Sequence, residues 1–160
     1  MQLRAFTMDD LDAVTKWFED ETFREENRWM EQVDFKEIKQ WLETFVEQKQ
    51  PDFERFGIEQ DEQLIGYADM KITRQQKAQL GVAIGDSSLW GHGLGGEAIS
   101  LLEEHAQTHH HINTFTAQIP ETHQRARRMV ERLGYREMKE VGYEDYLGEE
   151  TRMMEYEKQA

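Results

Sequence analysis

The stretch LWGHGLGGEA, residues 89–98, contains four of the eleven glycines of this 160-residue chain within six positions. It follows the apolar run AQLGVAI (78–84), and after it apolar residues at helical spacing predict a helix from Gly95 to about His109. A strand, a glycine-rich loop and a helix N-terminus together form an anion site, because exposed backbone N–H groups and the helix dipole both favour negative charge. The sequence therefore predicts that an anionic group binds against the backbone of this loop.

Two nucleotide-binding motifs do not fit the loop. A Walker P-loop requires Gly-Lys-Ser or Gly-Lys-Thr, and neither is present. Gly91, Gly93 and Gly96 satisfy the pattern G-x-G-x-x-G, but the residues GDSSLW separate the loop from its strand. The next strand, INTFTAQI (112–119), offers no acidic residue at its end to hold a ribose, as a dinucleotide site needs. Neither nucleotide-binding motif therefore explains the loop.

Apolar periodicity along the rest of the chain predicts further strands and helices. Thr7 and Asp10 have the spacing of a capping box, Thr122 can cap a later helix, and Pro51 ends another. The acidic and aromatic segment 19–32 fits either a loop or a second short helix. In chain order we predict a strand at 2–6, a helix through Phe18, a helix at 35–46, strands at 53–59, 64–72 and 78–84, the helix after the glycine loop, a strand at 112–119, a helix to Leu133 and two strands around Gly148. This order predicts the α/β class, with a mixed, largely antiparallel central sheet flanked by helices.

Length and charge restrict the classes of protein. A chain of 160 residues suffices for one domain and is short for two, so we expect a single domain spanning residues 1–160. The net charge of −14 repels nucleic acid and anionic membranes, and it serves either to recruit a cationic partner or only to keep the chain soluble. Cysteine is absent, no apolar run reaches the roughly 18 residues of a membrane span, and the start lacks a signal-peptide core. We therefore expect a cytoplasmic protein, either monomer or homodimer, with no nucleic-acid or membrane partner.

Three segments resemble one enzyme family. WGHGLG (90–95) is similar to the signature Gln/Arg-x-x-Gly-x-Gly/Ala of GNAT-family N-acetyltransferases, with Trp90 at its first position. IPETHQRARRMVERLGY (119–135) resembles the family's strand, Asn-containing helix and terminal GF or GY. The opening LRAFTMDDLDAVTKWFED is similar to GNAT enzymes of the ribosomal-protein Nα-acetyltransferase and aminoglycoside N-acetyltransferase type. The resemblance implies a GNAT-like fold and an N-acetyltransferase that moves an acetyl group from acetyl-CoA directly to a primary amine on a small molecule or peptide.

The resemblance also implies where acetyl-CoA binds. Its pantetheine arm would pair with the backbone of Val82, Ala83 and Ile84 like an added strand, and a backbone N–H there would polarise the acyl carbonyl. On the following helix, His123 aligns with the family's frequent Asn. Arg127 belongs to a basic cluster, Arg125, Arg127, Arg128 and Arg132, that either faces the phosphates or lies on the ordinary surface. The residues whose amides would hold the pyrophosphate are Trp90, Gly91, His92, Gly93, Leu94, Gly95 and Gly96.

The catalytic acid and base remain open in the sequence. Val130 aligns with the tyrosine that often protonates the departing thiolate in this family, so Tyr146 or Tyr143 takes this role, or the thiolate leaves unassisted. The base that deprotonates the amine is a carboxylate. We name Glu25 for this role, within the acidic group Glu19, Asp20, Glu21, Glu25 and Glu26, with Glu59 and Asp69 as alternatives on strands.

Two further hypotheses complete the sequence-based picture. His105 and His109 are four residues apart on one predicted helix, which permits metal binding, but no third ligand is evident, and we predict no metal site. The alternative to an enzyme is a non-catalytic or weakly catalytic GNAT-fold module that binds acyl-CoA as a sensor or partner. Release of free CoA that depends on an added amine distinguishes the two functions.

Overall fold

The structure is a computed structural model, and it describes residues 1–27, 29, 33–48 and 50–160. Short 3₁₀ turns at Met8–Asp10 and Ser87–Leu89 precede the first helix and the glycine loop. The helices are α1 (Leu11–Glu19), α2 (Glu21–Glu26), α3 (Phe35–Glu47), α4 (Leu94–His110) and α5 (Gln124–Arg132). The strands are β1 (Gln2–Arg4), β2 (Phe53–Gln60), β3 (Gln63–Arg74), β4 (Lys77–Ile84), β5 (Thr114–Pro120), β6 (Arg136–Tyr146) and β7 (Glu149–Gln159). The predicted α/β class and the order of elements are confirmed.

The helix starts follow from local capping. Thr7 and Asp10 form the predicted capping box, and the carboxylate of Asp34 accepts a hydrogen bond from the Glu37 backbone N–H at 2.8 Å at the start of α3. The predicted cap at Thr122 is wrong, because His123 is the N-cap residue of α5 and its Nδ1 accepts from the Ala126 N–H at 3.3 Å. Segment 19–32 contains a short helix, α2, and its residues 28 and 30–32 lie outside the described residues. None of the helices in the described part of the chain is long and apolar enough to cross a membrane.

The seven strands form one sheet in the order β1-β2-β3-β4-β5-β7-β6. Neighbouring strands are antiparallel except β4 and β5, which are parallel, so the largely antiparallel mixed sheet is confirmed. The parallel pairing of β4 with β5 covers only three positions, from Lys77 opposite Thr114 to Gln79 opposite Thr116. Both strands continue beyond these pairs, to Ile84 and Pro120. They therefore diverge, and the divergence opens the sheet near its middle.

Each face of the sheet carries its own hydrophobic cluster. On one face α4 and α5 pack against the sheet, and Leu102 and Ala106 of α4 are fully buried against residues such as Met70. On the other face α1, α2 and α3 contribute an aromatic cluster that includes Phe18 and Phe23. Side chains alternate along a strand, so consecutive residues of β3 and β4 belong to different clusters. The two clusters therefore attach different helices to the two faces of the sheet. The opening between β4 and β5 lies between these two sets of helices.

Candidate functional site

A cleft of about 950 Å³ lies where β4 and β5 diverge. One wall consists of the end of β4 and the glycine loop that leads into α4. The other wall consists of the end of β5 and the exposed side of α5. Glu26, Tyr67, Asp69 and Tyr146 also line it. The cleft therefore connects the α4 side of the sheet with the side that carries α1 to α3.

The backbone of β4 presents hydrogen-bonding groups to this cleft. The Gly85 N–H donates to the Ile65 carbonyl at 2.7 Å, so the backbone of Gly85 points toward β3. In an antiparallel pair this direction alternates, and the N–H and C=O groups of Val82 and Ile84 consequently point away from β3, toward the diverging β5. The Trp90 indole N–H donates to the Ile84 carbonyl at 2.9 Å. The backbone edge predicted at Val82, Ala83 and Ile84 therefore lines the cleft.

The glycine loop has the geometry of an anion site. Gly91 and Gly93 have φ values of +84° and +79°, a left-handed conformation that side chains disfavour, and the space beyond each Cα is open. Gly93 is the N-cap residue of α4, where no side chain of the described residues forms a cap. The first helical bond runs from the Glu97 N–H to the Gly93 carbonyl, so the earlier N–H groups of the helix lack an intrahelical partner. These N–H groups and the helix dipole favour a bound anion.

The basic cluster of α5 divides between two sides of the helix. Arg125, Arg128 and Arg132 are three or four residues apart, share one side and line the cleft. Arg127 points elsewhere, because its Nε donates to the Tyr156 hydroxyl at 2.8 Å and its Nη1 donates to the Glu121 carbonyl at 2.9 Å. Arg127 therefore links α5 to β7 and the end of β5, and the structure places it outside the cleft.

Most of the other predicted cofactor residues line the cleft, and His92 is the exception. His92 is exposed and is not among the residues that line the cleft. The predicted cofactor residues that do line it are Val82, Ala83, Ile84, Trp90, Gly91, Gly93, Leu94, Gly95, Gly96 and His123.

A carboxylate, an imidazole and a phenol meet at the cleft. Glu26 Oε2 accepts a hydrogen bond from the Tyr146 hydroxyl at 2.6 Å and lies 3.0 Å from His123 Nε2. Because His123 Nδ1 accepts from a backbone N–H, the hydrogen-bond network assigns the ring proton to Nε2, which donates to Glu26. A guanidinium nitrogen of Arg125 lies 4.0 Å from the second oxygen of Glu26. We call Glu26, His123 and Tyr146 the acidic triad.

The acidic triad maintains a negative charge. Burial raises the pKa of Glu26, but hydrogen bonds from His123 and Tyr146 and the nearby positive charge of Arg125 outweigh burial and hold this pKa below its ordinary value. A carboxyl group with this shift and two hydrogen-bond donors is ionised at neutral pH. The cleft therefore presents an anionic carboxylate from the end of α2, beside the N-terminus of α5.

Two of the three predicted catalytic residues lie outside the cleft. Tyr143 is 58% exposed, and no bulge separates it from Tyr146 three positions later, so the two tyrosines project from opposite faces of β6. Glu25 precedes Glu26 on α2 and is not among the residues that line the cleft. Glu26 is three residues after Phe23, which is fully buried, and therefore lies on the inward side of the helix. This spacing from Phe23 is the sequence signal that favours Glu26 over Glu25.

The strand carboxylates are already paired. Asp69 lines the cleft, but Arg55 Nη2 binds its Oδ2 at 2.8 Å. Glu59 forms an ion pair with Arg4 at the β1–β2 edge of the sheet. Beside Asp69, burial raises the pKa of Tyr67 to about 12, which makes this phenol a poor proton donor. Among these groups, the acidic triad combines a carboxylate with a tyrosine that donates a hydrogen bond to it.

The fold of this chain is similar to that of several acetyltransferases of known structure. Comparison with curated protein sequences gives no match. Among solved structures, ribosomal-protein-alanine N-acetyltransferase from Brucella melitensis superposes with a TM-score of 0.76 at 21% identity, covering 100% of both chains. RimJ from Mycobacterium smegmatis, in complex with CoA-disulfide, has a TM-score of 0.80 at 18% identity over 99% of this chain and 81% of its own. Spermidine N-acetyltransferase from Vibrio cholerae, in complex with CoA and spermine, has a TM-score of 0.79 at 16% identity over 99% and 94% of the two chains.

These structural similarities establish the fold. The sequence of residues 1–136 in addition matches the acetyltransferase (GNAT) domain family. This match includes β1 to β5, the glycine loop, α4 and α5, which together build the two walls of the cleft. The match spans most of the chain, and the protein therefore belongs to the GNAT acetyltransferase family.

Proposed function

We propose that this protein transfers the acetyl group of acetyl-CoA directly to a primary amine. One observation carries the proposal: the anion site of the glycine loop and the acidic triad both line a single cleft. An anionic donor and a cationic acceptor can then meet between β4 and β5. The structurally similar enzymes are named for acceptors that carry primary amines, a ribosomal protein and spermidine, which supports the same class here.

The donor side offers matching groups along the length of acetyl-CoA. The uncapped N-terminus of α4 suits the pyrophosphate, and Arg128 and Arg132 add positive charge beside it. The outward-facing backbone of Val82 and Ile84 suits the amide groups of the pantetheine arm, as in strand addition. One backbone N–H of this edge would stabilise the oxyanion that forms when the thioester carbonyl is attacked.

On the acceptor side, the acidic triad binds the amine and moves protons. Glu26 binds the ammonium group of the acceptor, one ammonium proton passes to solvent water, and the neutral amine nitrogen then attacks the thioester carbon. As the C–N bond forms, the nitrogen becomes more acidic and its proton passes to Glu26. The C–S bond breaks, and Tyr146 donates its proton to the departing thiolate in place of the tyrosine absent at Val130. The proton that Glu26 accepted then passes to the Tyr146 phenolate along their hydrogen bond, which restores both groups. His123 keeps the carboxylate oriented through its Nε2 hydrogen bond.

A screen of primary amines for release of free CoA tests the proposal. The panel holds polyamines, aminoglycosides and peptides with a free N-terminus, and thiol release is followed in the presence and absence of each amine. We expect at least one amine to cause release. If none does while acetyl-CoA still binds, the chain is the acyl-CoA-binding module instead.

A cytoplasmic location is part of the proposal and agrees with the absence of cysteine.

Matched variants assign the roles within the cleft. Tyr146→Phe should lower kcat at least about tenfold with little change in the KM for acetyl-CoA, because general-acid help contributes about 10²–10⁴-fold. Glu26→Gln should raise the KM for the amine. Tyr143→Phe and Glu25→Gln are the controls, since both residues lie outside the cleft, and they should retain wild-type rates. Equal losses in the control variants would contradict these roles.

A further inference from the structure

Two histidines and a glutamate form a cluster at the end of α4 that is remote from the cleft. Glu54 Oε1 lies 2.5 Å from His110 Nε2 and 3.4 Å from His105 Nε2. The three donor atoms all lie within 4.8 Å of one another. Glu54 belongs to β2 and the histidines to the last turns of α4, so the cluster joins the helix to the sheet. A helix of 17 residues is about 25 Å long, which separates this cluster from the glycine loop.

We propose that Glu54, His105 and His110 bind one divalent transition-metal ion, for which Zn²⁺ is the best match. Two imidazole nitrogens and one carboxylate oxygen form a donor set that Zn²⁺ takes with water as its fourth ligand. Tetrahedral bonds of about 2.1 Å place neighbouring donor atoms about 3.4 Å apart. The distance of 3.4 Å between Glu54 Oε1 and His105 Nε2 already has this value. Glu54 Oε1 and His110 Nε2 lie 2.5 Å apart and must move about 0.9 Å further from each other.

The cluster has room for this adjustment. The side chains of His105, His110 and Glu54 are 23%, 30% and 33% exposed, so they can move apart and water can reach the ion. The His105 ring is oriented by an edge contact with Phe56, with ring centroids 4.9 Å apart. Phe56 is two residues after Glu54 and lies on the same face of β2, which explains why the ring and the carboxylate face each other.

Electrostatics favours a cation at this position. The chain has a net charge of −14, and the C-terminal end of a helix carries partial negative charge. The sequence-based prediction of no metal rested on His105 and His109 without a third ligand. The structure pairs His105 with His110 instead, and it supplies the third ligand from Glu54, 51 residues earlier in the chain. His109 stacks on His105 with ring centroids 4.5 Å apart.

Calorimetric titration of the chelator-treated full chain with Zn²⁺ tests the proposal. We expect one Zn²⁺ per chain with micromolar affinity and a Tm that rises with Zn²⁺ concentration, because an ion that binds only the folded chain stabilises it. Mg²⁺ is the control ion, since it prefers oxygen ligands, and it should leave the Tm unchanged. Absence of Zn²⁺ binding, or equal binding of Mg²⁺, would overturn the proposal.

Three variants locate the ion. Glu54→Gln and His110→Gln should each weaken Zn²⁺ binding at least about tenfold, with circular dichroism showing that the fold persists. The matched control is His111→Asn, because His111 follows His110 but caps α4 at a φ of +54°, which Asn tolerates. This variant should bind Zn²⁺ like the wild type. Unchanged affinity in Glu54→Gln and His110→Gln would show that Zn²⁺ binds elsewhere on the acidic surface. The test does not depend on the proposed acetyl transfer.

Discussion

The guanidinium of Arg125 lies 4.4 Å from the centre of the Trp90 ring. Trp90 follows β4, whereas Arg125 belongs to α5, which follows β5, so this cation–π contact joins the two walls that diverge at the cleft. The Trp90 indole N–H also donates a hydrogen bond to the Ile84 carbonyl, and the Arg125 guanidinium lies 4.0 Å from a carboxylate oxygen of Glu26. Trp90 occupies the first position of the glycine signature, where the family usually has Gln or Arg. Here that position contributes a contact across the cleft.

A double-mutant cycle should detect this contact. Trp90→Ala and Arg125→Ala should be coupled by about 0.5–1 kcal/mol in the free energy of unfolding, the size of an exposed cation–π pair. Urea denaturation of the four proteins measures this coupling. The control cycle pairs Trp90→Ala with Arg128→Ala, which lines the same cleft. Equal coupling in both cycles would mean that general charge, and not the ring contact, links the two walls.

Gly93→Ala should weaken acetyl-CoA binding at least about tenfold, or 1.4 kcal/mol. The φ of +79° at Gly93 costs an ordinary residue about 1–2 kcal/mol, so the loop should leave the conformation that exposes its N–H groups. Calorimetry with acetyl-CoA measures the loss. Gly148→Ala is the matched control, because Gly148 has a φ of +81° and lies in the β6–β7 turn. A folded Gly93→Ala protein with wild-type affinity would rule out this donor site.

Val130→Tyr should destabilise the protein and leave the rate of transfer no higher. From the sequence, this change could restore the missing acid if the ring fitted its helix face. Val130 lines the cleft but is only 2% exposed and packs in the hydrophobic cluster of the α4–α5 face, and overpacking a core costs about 1–3 kcal/mol. Thermal unfolding should show a clearly lower Tm for Val130→Tyr than for the smaller change Val130→Ile. A stable Val130→Tyr variant that transfers faster would contradict this prediction and show that a tyrosine at position 130 can act as the acid.

Glu26 should make stability depend on pH in acidic solution. Its pKa is lower in the folded chain than its ordinary value of 4.5, so the ionised form stabilises the fold above about pH 4.5. This contribution is lost as the pH falls through the lower, folded pKa. The Tm difference between wild type and Glu26→Gln should thus shrink as the pH falls below about 4.5. Tyr146→Phe removes one hydrogen bond and should move the loss to higher pH; a difference independent of pH would contradict this account.

Tyr135→Phe should reduce stability by about 1–3 kcal/mol, because it leaves a buried carboxylate without one donor. The Tyr135 hydroxyl donates to Glu103 Oε2 at 2.7 Å, and Lys158 Nζ lies 3.0 Å from the other oxygen. Burial and the hydrogen bond to Glu103 both raise the pKa of Tyr135, which keeps its proton available as a donor. Urea denaturation measures the change. Tyr143→Phe, at an exposed tyrosine, should change stability little, and equal effects would contradict the role of Glu103.

Much of the local structure could be predicted from the chain alone. Apolar alternation identifies strands such as β3, helical spacing identifies α3 and α4, and the capping box at Thr7 marks where a helix begins. The glycine loop is also local, since Gly91 and Gly93 determine its backbone and the following helix supplies its dipole. These features depend on neighbouring residues, and a periodic pattern or a short motif is sufficient to specify them.

The divergence of β4 and β5, the acidic triad and the metal cluster depend on residues far apart in the chain. Glu26 and Tyr146 are 120 residues apart, and Glu54 and His110 are 56 apart. Strand pairing and helix packing decide these distances, and no local pattern reports them. The sequence identified the acidic segment but pointed to Glu25, because the spacing from Phe23 favours Glu26 only once Phe23 is known to pack in the folded core. The sequence by itself determined the helices, the strands and the glycine loop, and tertiary packing decided which side chains meet.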